Sequence, residues 1–99
     1  MLIVRDVFTA KPGQASKLAK LFKGMAKDMP GTGPARVLTD LVGDYNTVVM
    51  EFEFKNLGEY EKAMMEYSNM PKTPENTQRM AEYQNMYQTG KREILRSVD

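Results

Sequence analysis

The chain has 99 residues, no cysteine, no histidine, and a near balance of 14 lysines and arginines against 13 aspartates and glutamates. This composition excludes disulfides, thiolate or imidazole metal sites, cysteine nucleophiles and histidine general bases, and it offers no basic footprint for nucleic acid. A length of 99 residues fits a single domain over residues 1–99, small enough to benefit from area buried against a partner.

The opening MLIVRDVF is apolar but short and carries Arg5 and Asp6. It reads as a first strand, Leu2 to Thr9, and not as a signal peptide. No later stretch approaches membrane-spanning length, so the expectation is a cytoplasmic protein. The two faces of this strand are Leu2, Val4, Asp6, Phe8 and Ile3, Arg5, Val7, Thr9: each is apolar with one charge. Lys11-Pro12-Gly13 breaks the strand, and Pro suits the first turn of a helix. From Gln14 to about Met29, Leu18, Leu21, Phe22, Met25 and Met29 recur at helical spacing. Lys17, Lys20, Lys23 and Lys27 lie mainly opposite them, as on a solvated face.

Pro30-Gly31-Thr32-Gly33-Pro34 is a turn cluster. It lacks the flanking strand and helix that a phosphate loop needs. Ala35 to Val42 reads as a second strand, with Val37 and Leu41 on one face and Leu38 and Val42 on the other. Gly43 to Asn46 makes a hairpin connection into a third strand, Thr47 to Lys55. Its faces differ: Val48, Met50, Phe52 and Phe54 against Val49, Glu51, Glu53 and Lys55. Asn56 is placed as an N-cap with Glu59 at the capping-box position. The helix that follows carries Leu57, Tyr60, Met64 and Tyr67 along one stripe and closes at Pro71. Thr73-Pro74-Glu75 starts another helix, carrying Met80, Tyr83, Met86 and Tyr87 to about Thr89, with Gly90 at a C′ position. Lys91 to Val98 is the last strand, Ile94 and Val98 opposing Leu95.

A β-α-β-β-α(α)-β order matches the ferredoxin-like, split-βαβ arrangement: α+β, with a four-stranded antiparallel sheet and helices on one face. An open sheet face in water should alternate cleanly between apolar and polar residues. Strands one and two do not, and an apolar patch of that kind marks an interface. The expectation is therefore a homodimer closed through the open face, with Glu51 and Glu53 at the interface and Arg5 a cross-strand partner.

The first strand running into Lys-Pro-Gly and an amphipathic helix, together with VVMEFEFKNLGEYEKA, resembles the dimeric α+β barrel superfamily. That superfamily includes antibiotic-biosynthesis monooxygenases, haem-degrading monooxygenases and NIPSNAP-like proteins. The acidic-aromatic third strand entering Leu-x-Glu-Tyr-Glu is most similar to the NIPSNAP-like members. The resemblance implies a pocket between helices and sheet, lined by strands one and three and the second helix. It also maps an asparagine of the haem-degrading members onto Asp6. Their tryptophan and histidine have no counterpart here, so their haem chemistry is not expected.

Asp6 sits on the helix-facing side of its strand. A carboxylate among apolar neighbours needs a partner or has a raised pKa, and the latter would suit a general base. Satisfaction of Asp6 by a tyrosine, a lysine or a backbone amide is the plainer account. Phe52, Tyr60, Met64, Tyr67, Tyr83 and Tyr87 are the candidate ligand-binding residues, since a pocket needs a few polar groups in an apolar lining; core or rim packing is the commoner use of such tyrosines. Glu51 and Glu53 share a strand face but lack an evident third oxygen ligand for a metal. Neither cofactor, metal, nucleic acid nor membrane is expected. The functional expectation is a small-molecule-binding barrel, as a cofactor-less monooxygenase or isomerase acting on a hydrophobic or aromatic compound; the alternative is a non-enzymatic dimeric structural or regulatory module.

Overall fold

The structure, a computed structural model, describes residues 1–27, 29 and 35–98; the turn cluster read at Pro30–Pro34 lies outside them. The elements are β1 (Leu2–Ala10), α1 (Ala15–Lys27), β2 (Arg36–Thr39), β3 (Thr47–Phe54), α2 (Leu57–Ser68), α3 (Pro74–Gln84) and β4 (Tyr87–Arg96). The four strands form one antiparallel sheet in the order β2-β3-β1-β4. This is the ferredoxin-like α+β arrangement.

Alternation decides what each face meets. Val4 and Ala10 of β1, and Val48, Met50, Phe52 and Phe54 of β3, join Leu18 and Phe22 of α1 and Ala63 of α2 in one core cluster. Both helices of the second half start as their caps dictate. Asn56 accepts from the Glu59 backbone N–H at 3.0 Å, and Thr73 accepts from that of Asn76 at 3.1 Å ahead of Pro74.

Two boundaries differ from the sequence reading. The second strand stops at Thr39, and Leu41 and Val42 are almost fully exposed. Asp40 ends the pairing, because its Oδ1 accepts from the Thr47 N–H at 3.1 Å. The chain then turns through Tyr45 and Asn46, both at positive φ (65° and 58°). Turn chemistry thus overrides the apolar run. Val37 stands opposite Met50 on the helix side and Leu38 opposite Val49 on the open side.

The second correction concerns Gly90. The third helix ends at Gln84, capped by Asn85, whose N–H reaches the Glu82 and Tyr83 carbonyls. Tyr87 already belongs to β4, so it does not continue a helical stripe with Tyr83. Gly90 lies mid-strand opposite Phe8. A Cβ there would stand 2.6 Å from the Phe8 ring. That ring is held against Phe22 and Tyr87, each at a centroid distance of 4.9 Å. Glycine is required because an aromatic ring covers the strand, not because a helix ends there.

The open face carries a row of alternating charge across all four strands: Arg36, Glu51, Arg5, Glu93 in direct register. Glu51 pairs with Arg36 and, at 3.4 Å, with Arg5, and is itself buried. Glu93 pairs with Lys91 at 3.2 Å. Flanking the row are Leu38, Val49 and Val7 on one side and Ile3 and Leu95 on the other.

Gly90→Ala must push the Phe8 ring out of its place. The expected loss is about 1–3 kcal/mol of stability, the usual cost of overpacking, read as a lower urea midpoint with an unchanged m-value.

Candidate functional site

Between the helical layer and the sheet lies a cavity of about 380 Å³. Phe52, Tyr60, Met64, Tyr67, Tyr83 and Tyr87 all line it, and so does Asp6. Each reaches it through the periodicity of its own element. Tyr60, Met64 and Tyr67 are spaced to share one face of α2, which the buried Ala63 between them seats on the core. Phe52 alternates with Glu51 and Glu53, so it faces inward where they face the open side. Tyr83 comes from α3 and Tyr87 from the first position of β4; their rings stack at 5.4 Å and 23°.

The cavity is chemically uneven. On one side of Asp6 along β1, Phe8 gathers Phe22, Tyr83 and Tyr87 into an aromatic group. Toward the other end, Tyr60 meets Phe54 edge-on at 5.4 Å and 76°. Asp6 and Arg92 form a charged contact within this lining. Arg92 Nε donates to Asp6 Oδ1 at 2.6 Å and Nη2 to Oδ2 at 3.0 Å. This two-pronged geometry is the strongest that a carboxylate and a guanidinium form. Arg92 Nη1 donates to the Tyr60 hydroxyl at 2.9 Å and lies 3.8 Å from Met64 Sδ.

Burial divides this group. Asp6 is only 5% exposed, whereas the Arg92 side chain is 46% exposed. The carboxylate is thus anchored in the wall while part of the guanidinium faces open space. Hydrogen bonding to Asp6 pushes the Arg92 pKa further above its ordinary value, against the opposing effect of burial. Its positive charge is therefore permanent. The Tyr83 phenol is pushed up by burial and then by its neighbour Tyr87. It stays protonated and so remains a hydrogen-bond donor.

Geometry determines what the polar group can do. A guanidinium has five N–H bonds; two point at Asp6, one at Tyr60 and one, weakly, at the Met64 sulfur, which leaves an Nη2 donor for a ligand oxygen. Because the Tyr60 oxygen accepts from Arg92, its own proton is free to be donated as well. Arg92 and Tyr60 together present donors whose chemistry suits a carbonyl, phenolate or carboxylate oxygen, in a chamber with a mainly apolar lining. Among the described residues, no group of three or more acidic side chains gathers to hold a metal ion.

Arg92 is the residue that sequence reasoning missed. A signal was present: it shares strand parity with Ile94, the helix-side set of the last strand. Turning that parity into a contact required the register that puts Arg92 directly opposite Asp6. Arg36, the second cation on Glu51, was missed for the same reason.

Neither a family model nor a curated protein matches this sequence. Solved structures do share the fold. An uncharacterized NIPSNAP domain protein from Burkholderia xenovorans aligns over 99% of this chain and 95% of its own, at a TM-score of 0.80 and 12% identity. A NIPSNAP-like domain protein from the same organism aligns over 98% of this chain and 84% of its own, at 0.79 and 19%. SnoaB, a cofactor-independent oxygenase from Streptomyces nogalater, aligns over 99% and 93%, at 0.67 and 14%. The chain therefore has the α+β fold shared by NIPSNAP-like and antibiotic-biosynthesis-monooxygenase-like proteins.

Proposed function

We propose that this chain works as a cytoplasmic homodimer in which each protomer binds a hydrophobic, oxygen-bearing aromatic compound and acts on it as a cofactor-independent monooxygenase or isomerase. The observation that carries this reading is the Asp6–Arg92–Tyr60 group set in the wall of an apolar cavity of about 380 Å³. That volume is in the range of small-molecule sites, which combine an apolar lining with a few placed polar groups. The fold shared with a cofactor-independent oxygenase supports the same direction.

The chemistry follows from the polar group. A ligand hydroxyl or an acidic C–H loses its proton to Asp6, and the resulting oxyanion rests against Arg92 and the Tyr60 hydroxyl. Donors already aimed at that charge stabilise it without reorganising. The electron pair on the conjugated carbon then either adds dioxygen or takes up a proton. In the first case the peroxide formed is protonated, loses the carbon's second hydrogen as a proton and breaks its O–O bond, leaving a carbonyl and one water. In the second the proton returns at a different carbon, which is isomerisation. Both oxygens of Asp6 are held by Arg92, so the ligand oxygen must loosen that pair as it docks.

Naphthol is a suitable first probe, titrated calorimetrically. Replacing the cation in Arg92→Gln is expected to weaken its binding by about tenfold or more, the equivalent of one charge-assisted hydrogen bond. If the wild-type protein takes up no oxygen-bearing aromatic at all, the non-enzymatic dimer module replaces this reading. Asp6→Asn is expected to lower turnover, followed as oxygen uptake or product formation, by about 100-fold, as for the loss of a general base. Unchanged binding and turnover in that variant would remove Asp6 from the chemistry.

The dimer rests on the open face of the sheet. In a single copy, Leu38 and Leu95 are each about two-fifths exposed, next to Val7, Ile3 and Val49. A second sheet laid on that face covers the apolar flanks and shields the charge row between them from water. Leu95→Arg, on an exposed strand position, is expected to leave the protomer folded and shift sedimentation to the single-copy species. A wild-type protein that sediments only as one copy overturns the dimer.

A further inference from the structure

Outside the inner cavity lies a second chamber of about 370 Å³, bounded by the end of α2, the connection through Met70 and Pro71, and α3 at Thr77. The two spaces have three wall residues in common: Met25 of α1, Tyr67 of α2 and Met80 of α3. We propose that they form one tract for an elongated ligand: an aromatic alcohol or ketone held by its oxygen at Arg92, with an aliphatic arm that passes between Met25, Tyr67 and Met80 into the outer chamber. This rests on the inner cavity being a ligand site and names the class of ligand it takes.

The residues at the threshold are suited to such an arm. Methionine side chains are unbranched and polarisable, and they adjust to irregular apolar shapes; two of the three threshold residues are methionines. Tyr67 is half-buried and Met80 is 40% exposed, so neither is locked in the core. Beyond them, Met70 and Pro71 continue the apolar wall, and Lys72 marks the outer rim. Apart from Tyr67 at the threshold, the aromatic side chains of the two linings lie on the inner side, with Phe8, Phe22, Tyr83 and Tyr87 in the first cavity and not in the second. Rings are matched inside and a flexible chain outside.

The test compares naphthol with its ethyl, butyl and hexyl derivatives on the wild-type protein and on Thr77→Trp. Thr77 is exposed on α3 and lines the outer chamber alone, so an indole there fills the arm's path. Far-UV and near-UV circular dichroism verify that the variant is folded. A fully buried methylene strengthens binding by about fourfold, from its transfer free energy of roughly 0.8 kcal/mol. The expected result in the wild type is a gain of about tenfold or more from ethyl to hexyl, and in Thr77→Trp a collapse of the hexyl-to-ethyl ratio to within about twofold. Equal affinities across the wild-type series, with naphthol still bound, overturn the tract and leave the inner site standing. A gain that persists in Thr77→Trp also overturns it, because the arm then lies elsewhere. If neither naphthol nor any derivative binds, the functional reading beneath the tract falls with it.

Discussion

A carboxylate set into the greasy side of a central strand is the constraint on which the rest of this molecule turns. Asp6 lies between Val4 and Phe8 on the face that α1 and α2 cover, and leaving it ionised there without a partner would be strongly destabilising. The partner comes from the far end of the sequence, 86 residues away, on the strand that borders β1. Arg92 meets both carboxylate oxygens, and Tyr60 takes up a third donor from across the layer. Sheet and helix are thereby joined through one polar group. The cavity around that group is lined mainly by apolar and aromatic side chains.

The opposite face solves a related problem differently. Glu51 is almost as buried as Asp6, yet it stands on the side that no helix covers. Its burial comes from neighbouring long side chains: Arg5 and Arg36 lie across it on the adjacent strands. Charges of alternating sign in direct register attract along the sheet. Two of the four members are cationic and two anionic, so the row carries no net charge.

The sequence revealed the parts of this architecture that depend on local rules. Alternation in Thr47–Lys55 identified the inward set Val48, Met50, Phe52 and Phe54, and the caps at Asn56 and Thr73 were visible as single residues with known preferences. Asp6 stood out because its strand neighbours are apolar. Two boundaries were not readable, since nonlocal effects set them. Leu41 and Val42 look like strand residues until Asp40 is seen to cap the Thr47 amide. Gly90 looks like a helix terminator until the Phe8 ring is placed above it. Arg92 was the most consequential omission: a charged residue in a short strand is ordinary by itself, and only the β1–β4 register makes it the counterpart of Asp6.

Because the carboxylate and its counter-ion stand 86 residues apart in the sequence, the walls of the cavity come together only when β1 and β4 are both in place. A ribosome-bound fragment, or one clipped ahead of Tyr87, would carry an orphaned anion in its nascent core and lack the wall that β4 supplies. Such a fragment gains little by collapsing early. The closing strand thus does several things at once: the contact that pairs Asp6 also completes the sheet and one wall of the cavity.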